Sequence, residues 1–266
     1  MTRNSPPDSP PTSSTRGHFD PIASTYARHR PGYPKTLIHW LVDRAPGRRL
    51  AWDCGTGNGQ VARLLAPHVD QVVATDISPA QLAQAPALDG VAFRRAPAHS
   101  SGLATASVDL VVVAQALHWF DVQAFNREAQ RVLRPDGLMA QWCYGGMETG
   151  VASIDAEIST FYRDVVGPYW PPERRHVETG YRDLHFPFER TPAPAFSMEA
   201  AWTLEDLLGY LRSWSATARY RQATGHDPVT DLAERIAPPW GPPSKPRPVQ
   251  WPLTLRVGRL RPHPGR

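Results

Sequence analysis

Short apolar segments alternate with helical patterns between residues 50 and 144, and this alternation restricts the fold more than any other feature of the sequence. Five segments have the length and apolar composition of buried strands, namely 50–52, 72–74, 91–93, 108–113 and 138–144. The fourth is strongly β-branched, which is typical of a central strand covered on both faces of a parallel sheet. Helix-start signals such as Ser78-Pro79 and Asp121 lie between the strands. The alternation predicts an α/β fold with a doubly wound, mostly parallel sheet.

The second half of the chain has a different pattern. Residues 151–186 are helical in composition and rich in aromatic side chains. Thr203, with an acid three residues later, predicts a helix N-terminus. The segments 195–202 and 249–257 predict strands, and the six prolines of 237–248 predict a loop.

The composition divides the chain of 266 residues into three parts. Residues 1–17 hold four prolines among serines and threonines and bury too little to offset the entropy of ordering, so they predict a disordered tail. Residues 18–145 contain the alternating strands and predict the ligand-binding core. Residues 146–266 predict a helical insertion on the substrate side, together with the final strands that complete the sheet.

Charge and apolar patterning exclude several classes of function. The net charge is +4 and the pI about 9.3, but the basic residues are dispersed in runs of two at most, whereas nucleic-acid sites concentrate positive charge on one face. The sequence has no apolar run of about 18 residues and no apolar secretory segment at its start. Cys54 and Cys143 form no CxxC pair, which argues against a cysteine-built zinc site. We expect a cytoplasmic monomer or homodimer with no metal, no nucleic-acid partner and no membrane partner.

An acidic, glycine-rich loop follows the first strand, with the pattern Asp53-x-Gly55-x-Gly57-x-Gly59. Glycine lets the backbone approach a ligand closely because no Cβ intervenes. The dinucleotide fingerprint GxGxxG needs a third glycine where this chain has Gln60. The acid would also lie near a pyrophosphate, and two like charges about 5 Å apart at an effective dielectric of about 20 cost about 3 kcal/mol. The loop therefore favours a ligand that carries ammonium and sulfonium groups.

A second acid, Asp76, ends the second predicted strand. A carboxylate at that position can accept hydrogen bonds from both hydroxyls of a ribose. Ligands of open parallel sheets bind at the carboxyl ends of the strands, where residues 115–120 also lie. The alternative is that Asp53 and Asp76 are loop acids that cap helices.

Four segments complete the pattern: residues 53–59 (DCGTGNG), 74–78 (ATDIS), 115–121 (QALHWFD) and 131–137 (RVLRPDG). Together they resemble the successive motifs of class I S-adenosylmethionine-dependent methyltransferases. The nearest subgroup by this resemblance, which extends to residues 19–34, is the small-molecule methyltransferases similar to trans-aconitate methyltransferase, with a type 11 domain. The resemblance implies a Rossmann-like fold with a seven-stranded sheet and a helical insertion near the C-terminal end. It also implies S-adenosylmethionine as cofactor and methyl transfer to a small-molecule acceptor, a carboxylate or a hydroxyl, by in-line displacement.

The resemblance further implies individual roles at the cofactor site. The implied cofactor-binding residues are Asp53, Gly55, Gly57, Gly59, Asp76, Ile77, Ala98 and Gln115. The glycines would pass beneath the methionine and ribose, the first acid would meet the amino group and the second the ribose hydroxyls. Ile77 would pack on the adenine, and Ala98 would offer a backbone amide to its edge. Many relatives have acids beside that alanine, where this chain has Pro97 and His99.

His118 is the candidate general base, because it follows the fourth strand beside the expected position of the methyl group. Alternatively, it is a structural histidine that ties its loop to the sheet, since a carboxylate acceptor needs no base. Tyr26 and Tyr33 are candidates for a lid over the cofactor or for core anchors of the first helix. Arg30 is a candidate for binding an acidic substrate or a solvated surface residue.

Two other functions stay open at this point. A nicotinamide-dependent oxidoreductase is disfavoured by Asp53 and Gln60. A non-catalytic module that binds S-adenosylmethionine as a regulatory ligand fits the same motifs, because methyl transfer needs no fixed catalytic residue.

Overall fold

The computed structural model describes residues 31–260. The predicted tail at residues 1–17 and the candidate residues Tyr26 and Arg30 lie outside the described residues. The strands are β1 (Leu50–Cys54), β2 (Gln71–Asp76), β3 (Val91–Arg95), β4 (Val108–Ala114), β5 (Leu133–Cys143), β6 (Glu189–Arg190), β7 (Phe196–Trp202) and β8 (Arg247–Arg259). The α-helices are α1 (Lys35–Val42), α2 (Gln60–Leu65), α3 (Pro79–Leu82), α4 (Val122–Val132), α5 (Ala152–Thr160), α6 (Arg174–Glu178), α7 (Leu204–Arg212), α8 (Ser215–Thr224) and α9 (Pro228–Trp240).

The strands form one mixed sheet in the order β3–β2–β1–β4–β5–β8–β6, with β7 paired to β8 outside that path. The first five strands are parallel, and β8 runs antiparallel to β5, β6 and β7. The doubly wound α/β fold is therefore confirmed, and the C-terminal strand β8 pairs with β5 in the same sheet. Within the described residues the sheet has eight strands, one more than expected. The short β6 consists of two exposed charged residues, so the sequence carried no strand signal for it.

The central strand β4 explains why its sequence is so strongly β-branched. Val111 and Val113 point into the hydrophobic cluster on one face of the sheet, and Leu110 and Val112 into the cluster on the other. Covering both faces buries every position of the strand up to Val113. Helices on both faces leave the carboxyl edge of the sheet as the place for a ligand.

A buried acid anchors the amino end of the same strand. Asp109 is 1% exposed, and its Oδ2 accepts hydrogen bonds from the backbone N–H groups of Arg49 and Leu50 at 2.9 and 3.0 Å. Its Oδ1 accepts one from Arg134 at 2.8 Å. Both carboxylate oxygens are thus partnered, which is what allows a charge at this depth.

Several predicted elements of the second half are confirmed, and one is wrong. Thr203 and its N3 acid form a capping box at α7, and β7 and β8 cover the two predicted strands. The predicted helical region at 151–186 contains α5, α6 and shorter turns of other helix types. The loop predicted at 237–248 is wrong in its first part, because α9 continues through two prolines to Trp240. That tryptophan is fully buried, so packing holds the last turn despite the missing N–H donors.

The predicted turn at residues 134–137 lies inside β5 instead of before it. The register between β4 and β5 shifts there, and Asp136 has a φ of +60°. The turn signal was therefore real, but it marks an irregularity within a strand.

Within residues 31–260, no helix combines the length and apolarity needed to cross a lipid bilayer.

Candidate functional site

A cavity of about 690 Å³ lies at the carboxyl ends of the parallel strands. Its lining comes mainly from the loops that follow β1, β2, β3 and β4, with Tyr144 after β5 and Tyr33 before α1. The volume falls within the usual range for pockets that enclose small molecules. The cavity thus lies at the carboxyl edge of the sheet, where the sequence predicts the ligand site.

The three glycines of the loop after β1 have different surroundings. Gly55 and Gly57 line the cavity, with φ of +71° and +58°. A Cβ on Gly55 would stand 2.6 Å from that of Ala116, whereas a Cβ on Gly57 would meet only the Oε1 of Gln81, at 3.5 Å. The space that a side chain on Gly57 would fill is therefore part of the cavity.

Gly59 lies outside the described lining. It is the left-handed N-cap residue of α2, and a Cβ there would stand 2.7 Å from the ring of Phe93 on β3. This close approach makes Gly59 a packing residue. A cofactor contact for it stays a prediction.

Asp53 lines the cavity but is only 1% exposed. Its Oδ2 accepts hydrogen bonds from Thr56 Oγ1 at 2.5 Å and from the backbone N–H of Ala62 at 3.0 Å. Its Oδ1 is buried and has no partner among the described residues. Burial raises the pKa of Asp53 from its ordinary 3.8 to about 7, while these hydrogen bonds oppose the rise. An ammonium group supplied by a ligand would satisfy the open oxygen.

Asp76 ends β2 and lines the cavity beside the glycine loop. Its Oδ2 accepts a hydrogen bond from the backbone N–H of Gly57 at 2.8 Å, and its Oδ1 accepts one from Ser78 at 2.9 Å. An ionised carboxylate has about four acceptor positions, so one remains on each oxygen. The arrangement holds the loop and leaves a pair of acceptors for adjacent hydroxyls.

Ile77 gives this part of the cavity an apolar surface. Among the described residues it is the one large hydrophobic side chain that is exposed, at 62%. Ala98 lines the same cavity, and no described hydrogen bond uses its backbone N–H. Pro97 and His99 flank it in the lining. An apolar side chain with an open N–H donor nearby is suited to a flat heteroaromatic base.

Gln115 lines the cavity, but both ends of its amide are occupied. Its Nε2 donates to the carbonyl of Tyr144 at 3.1 Å, and its Oε1 accepts from the N–H of the same residue at 2.8 Å. With a φ of +54°, Gln115 joins the loop after β4 to the end of β5. A direct contact between its side chain and a cofactor stays a prediction.

His118 lies outside the described lining of the cavity, although Trp119 and Phe120 are within it. The imidazole is 8% exposed, and its Nδ1 lies 3.1 Å from the hydroxyl of Tyr181. The pKa of His118 is lowered from its ordinary 6.5 to about 3, mainly by burial and in smaller part by Arg174 and His176. This placement favours the structural interpretation of His118, and its role as a base stays a prediction.

Tyr33 also lines the cavity and packs edge-on against Trp142, with ring centroids 5.5 Å apart. It thus joins the core and the cavity, which accommodates both interpretations from the sequence. Sequence reasoning missed Thr56 and Arg95. Thr56 supports Asp53, while Arg95 lines the rim and donates from Nε to the carbonyl of Ile77 at 3.3 Å. Thr56 lies within the glycine-loop motif, but the pattern assigned it no role of its own, and the contact of Arg95 with Ile77 is visible only in the fold.

The residues present fit S-adenosylmethionine. The open oxygen of Asp53 matches its ammonium group, the free acceptor positions of Asp76 match its ribose hydroxyls, and Ile77 matches its adenine. A pyrophosphate would instead meet two carboxylates at the glycine loop.

Comparison with known proteins gives the same answer. The family described as "Methyltransferase domain" matches residues 52–140. A protein of Dictyostelium discoideum named as a methyltransferase is 32% identical over 222 residues, which cover 82% of this chain and 84% of the relative. A solved structure from Anaeromyxobacter dehalogenans, described as a type II methyltransferase, is 42% identical. It covers 88% of this chain and 99% of its own, with a TM-score of 0.83.

A more distant structure, the YcgJ protein from Bacillus subtilis, is 16% identical with a TM-score of 0.51 and shows the fold alone. The narrower resemblance to trans-aconitate methyltransferase stays a prediction. The motifs, the cavity and the relatives agree on one assignment: the chain belongs to the class I S-adenosylmethionine-dependent methyltransferases.

Proposed function

We propose that the protein methylates a small-molecule acceptor at a carboxylate oxygen. S-adenosylmethionine, when bound, supplies an electrophilic methyl group on a sulfonium, and the departing thioether takes the electron pair of the broken bond. The acceptor oxygen supplies the pair for the new bond. No proton has to move if that oxygen is already ionised.

The contribution of the protein is alignment and exclusion of water. Trp119, Phe120 and Tyr144 line the cavity at the carboxyl ends of β4 and β5. These aromatic side chains provide a largely apolar wall beside the expected position of the methyl group. Holding the acceptor in line with the carbon–sulfur bond can supply several kcal/mol, up to about 10.

The observation that supports a carboxylate over a hydroxyl is the placement of His118, which lies outside the described lining with its Nδ1 3.1 Å from the hydroxyl of Tyr181. Burial also lowers the pKa of His118, which weakens it further as a base for a hydroxyl proton. Among the acids of the described lining, Asp53 and Asp76 fit the cofactor, and Asp121 caps α4 by accepting from Ala124 at 3.0 Å. An acceptor that ionises by itself removes the need for a base.

A cation near His118 supports the same choice. Arg174 is held over the ring of Trp170 at 4.7 Å, and it donates from Nε to Tyr162 Oη at 3.0 Å and from Nη2 to the carbonyl of Gly145 at 3.3 Å. Gly145 follows β5 directly after the cavity residue Tyr144. Arg174 itself is not part of the described lining, but a fixed positive charge beside this end of the cavity favours a negatively charged acceptor over a neutral one.

The first test replaces His118 by glutamine. We expect kcat to stay within about threefold of the wild type, because His118 does not act as a base in this proposal. Loss of a general base would instead lower kcat by about 10²–10⁴. Turnover would be followed with radiolabelled S-adenosylmethionine and paired panels of carboxylic acids and the corresponding alcohols. Methylation of alcohols alone, with a loss beyond about a hundredfold in His118→Gln, would instead establish a hydroxyl acceptor and a histidine base.

The second test concerns the ribose. Asp76→Ala should weaken binding of S-adenosylhomocysteine by about 1.5–3 kcal/mol, the usual size of a hydrogen bond to a charged group. The variant should also lose the preference for that ligand over its 2′-deoxy analogue. Asp121→Ala, which removes another acid of the lining, serves as the control in calorimetry. An affinity of Asp76→Ala within about twofold of the wild type would contradict the ribose contact.

A further inference from the structure

The loop between β3 and β4 carries the adenine side of the cavity. Ala96, Pro97, Ala98 and His99 lie in the lining. Beside Ala98 the chain has Pro97 and His99 and no acid, so the open donor to a base edge at this position is the backbone N–H of Ala98. A backbone donor discriminates between bases only if the loop that carries it is held in one position.

A buried carboxylate on α4 holds that loop. Glu128 is 8% exposed, and its Oε1 accepts hydrogen bonds from the backbone N–H of Ser101 at 2.8 Å and from Ser101 Oγ at 2.5 Å. The same hydroxyl accepts from the N–H of Leu103 at 3.1 Å. The loop is thus tied to α4 three residues after Ala98.

An arginine completes the arrangement. Arg131 donates from Nε to Oε2 of Glu128 at 2.7 Å and from Nη2 to Oε1 at 2.8 Å. Its Nη2 also donates to the carbonyl of Leu103 at 2.7 Å, and its Nη1 to Thr105 Oγ1 at 3.1 Å. The interaction with Arg131 lowers the pKa of Glu128 to about 2, so the carboxylate stays ionised throughout the physiological range.

The contacts of Glu128 exceed what packing of α4 on the sheet requires. The helix contributes no residue to the described lining, and it buries Phe125, Ala129 and Val132 through its apolar face. The charged network faces the loop instead, and two of its hydrogen bonds end on loop backbone atoms. Such bonds set the position of a backbone more narrowly than apolar contacts do.

We infer that Glu128 is a positioning residue which, with Arg131, sets the selectivity of the cofactor site for adenine by fixing the loop from Pro97 to Leu103. The inference rests on the proposed binding of the adenine half of S-adenosylmethionine against Ala98. Adenine presents a ring-nitrogen acceptor at its Watson–Crick edge, where hypoxanthine presents an N–H. A fixed backbone donor accepts the first base and rejects the second.

The test compares Glu128→Gln with the wild type by calorimetry, using S-adenosylhomocysteine and its hypoxanthine analogue. The substitution keeps the shape of the side chain but sets an amide N–H₂ against the donors of Arg131. We expect the affinity for S-adenosylhomocysteine to fall about tenfold and the preference over the analogue to shrink by a similar factor. The KM for the acceptor should not change.

Asp109→Asn is the matched control, because Asp109 is likewise a buried carboxylate that accepts from backbone N–H groups and an arginine, but at the amino end of the sheet. It should lower thermal stability comparably and leave the ratio of the two affinities unchanged. Ser101→Ala, which removes the hydroxyl alone, provides a milder variant should Glu128→Gln fail to fold, and we expect it to reduce the ratio about threefold.

Three outcomes overturn the inference: an unchanged ratio in a folded Glu128→Gln, an unchanged ratio in Ser101→Ala where the first variant does not fold, or the same reduced ratio in Asp109→Asn. Failure of the wild type to bind S-adenosylhomocysteine is a separate result. It would refute the cofactor assignment on which the inference depends.

Discussion

Gly57→Val is expected to abolish measurable binding of S-adenosylmethionine, with a loss of affinity of at least about a hundredfold. Gly57 lines the cavity, and a Cβ added there would meet only the Oε1 of Gln81, at 3.5 Å. The new methyl groups would therefore occupy space that the cofactor needs. The backbone N–H of Gly57 also donates to Asp76, so any shift of the loop would also disturb this predicted ribose acceptor.

The substitution also strains the backbone, since Gly57 has a φ of +58°. Gly225→Val controls for this effect, because Gly225 has a φ of +74° at the end of α8 and nothing within 4 Å of an added Cβ. Each variant should lose about 1–3 kcal/mol of stability from the left-handed conformation. Only Gly57→Val should lose the calorimetric signal. Tight binding by a folded Gly57→Val would mean that the cofactor does not cross this loop.

The parallel half of the fold was predictable because each of its signals is local. Five short apolar segments marked β1 to β5, and the structure extends them by a few residues at most ends. The glycine loop and Asp76 sit directly at strand ends, so their place at the carboxyl edge followed from the topology. Ile77 differs from these, because its role came only from the resemblance to the family; the structure shows that it is exposed in the cavity, and its contact with adenine stays a prediction.

Features that depend on distant contacts were not predictable from the sequence. The loop predicted at 237–248 was wrong in its first part, because burial of Trp240 outweighs the local preference of proline. The hydrogen bonds between Glu128 and Ser101 join residues 27 apart in the chain. His118 followed the expected strand, yet only the fold shows that its ring lies against Tyr181 and outside the cavity lining.

Asp53→Asn should stabilise the unliganded protein and weaken its binding of S-adenosylmethionine. The carboxylate contributes to binding, but its buried charge destabilises the folded state. In the unliganded protein, burial raises the pKa of Asp53 from 3.8 to about 7. Between these two pH values the folded state keeps a proton that the unfolded chain has released. The stabilisation is complete below pH 3.8 and is lost as the pH rises through about 7. A change of this size corresponds to about 4 kcal/mol.

At about pH 8 the wild type therefore carries a buried charge with one unpartnered oxygen, and the amide removes that charge. The amide N–H₂ has no partner there, and its burial offsets part of the stabilisation from removing the charge. We therefore expect unliganded Asp53→Asn to be about 1–3 kcal/mol more stable than the wild type at this pH. Denaturation at about pH 5 and 8 would measure the difference. Asp109→Asn, where both carboxylate oxygens have partners, should be less stable than the wild type at about pH 8.

The same carboxylate predicts how binding depends on pH. In the wild type, affinity for S-adenosylmethionine should fall about tenfold per pH unit below about 7, because the ammonium group requires the ionised acid. Affinity should also decline above about pH 8, because the α-amino group of the cofactor itself loses its proton there. Asp53→Asn should bind about 10–100 times more weakly at pH 8 and show no acid-side decline, since an amide does not titrate. A variant that binds like the wild type and keeps the acid-side decline would show that another group receives the ammonium. The unpartnered oxygen of Asp53 would then lower the stability of the protein without contributing to binding.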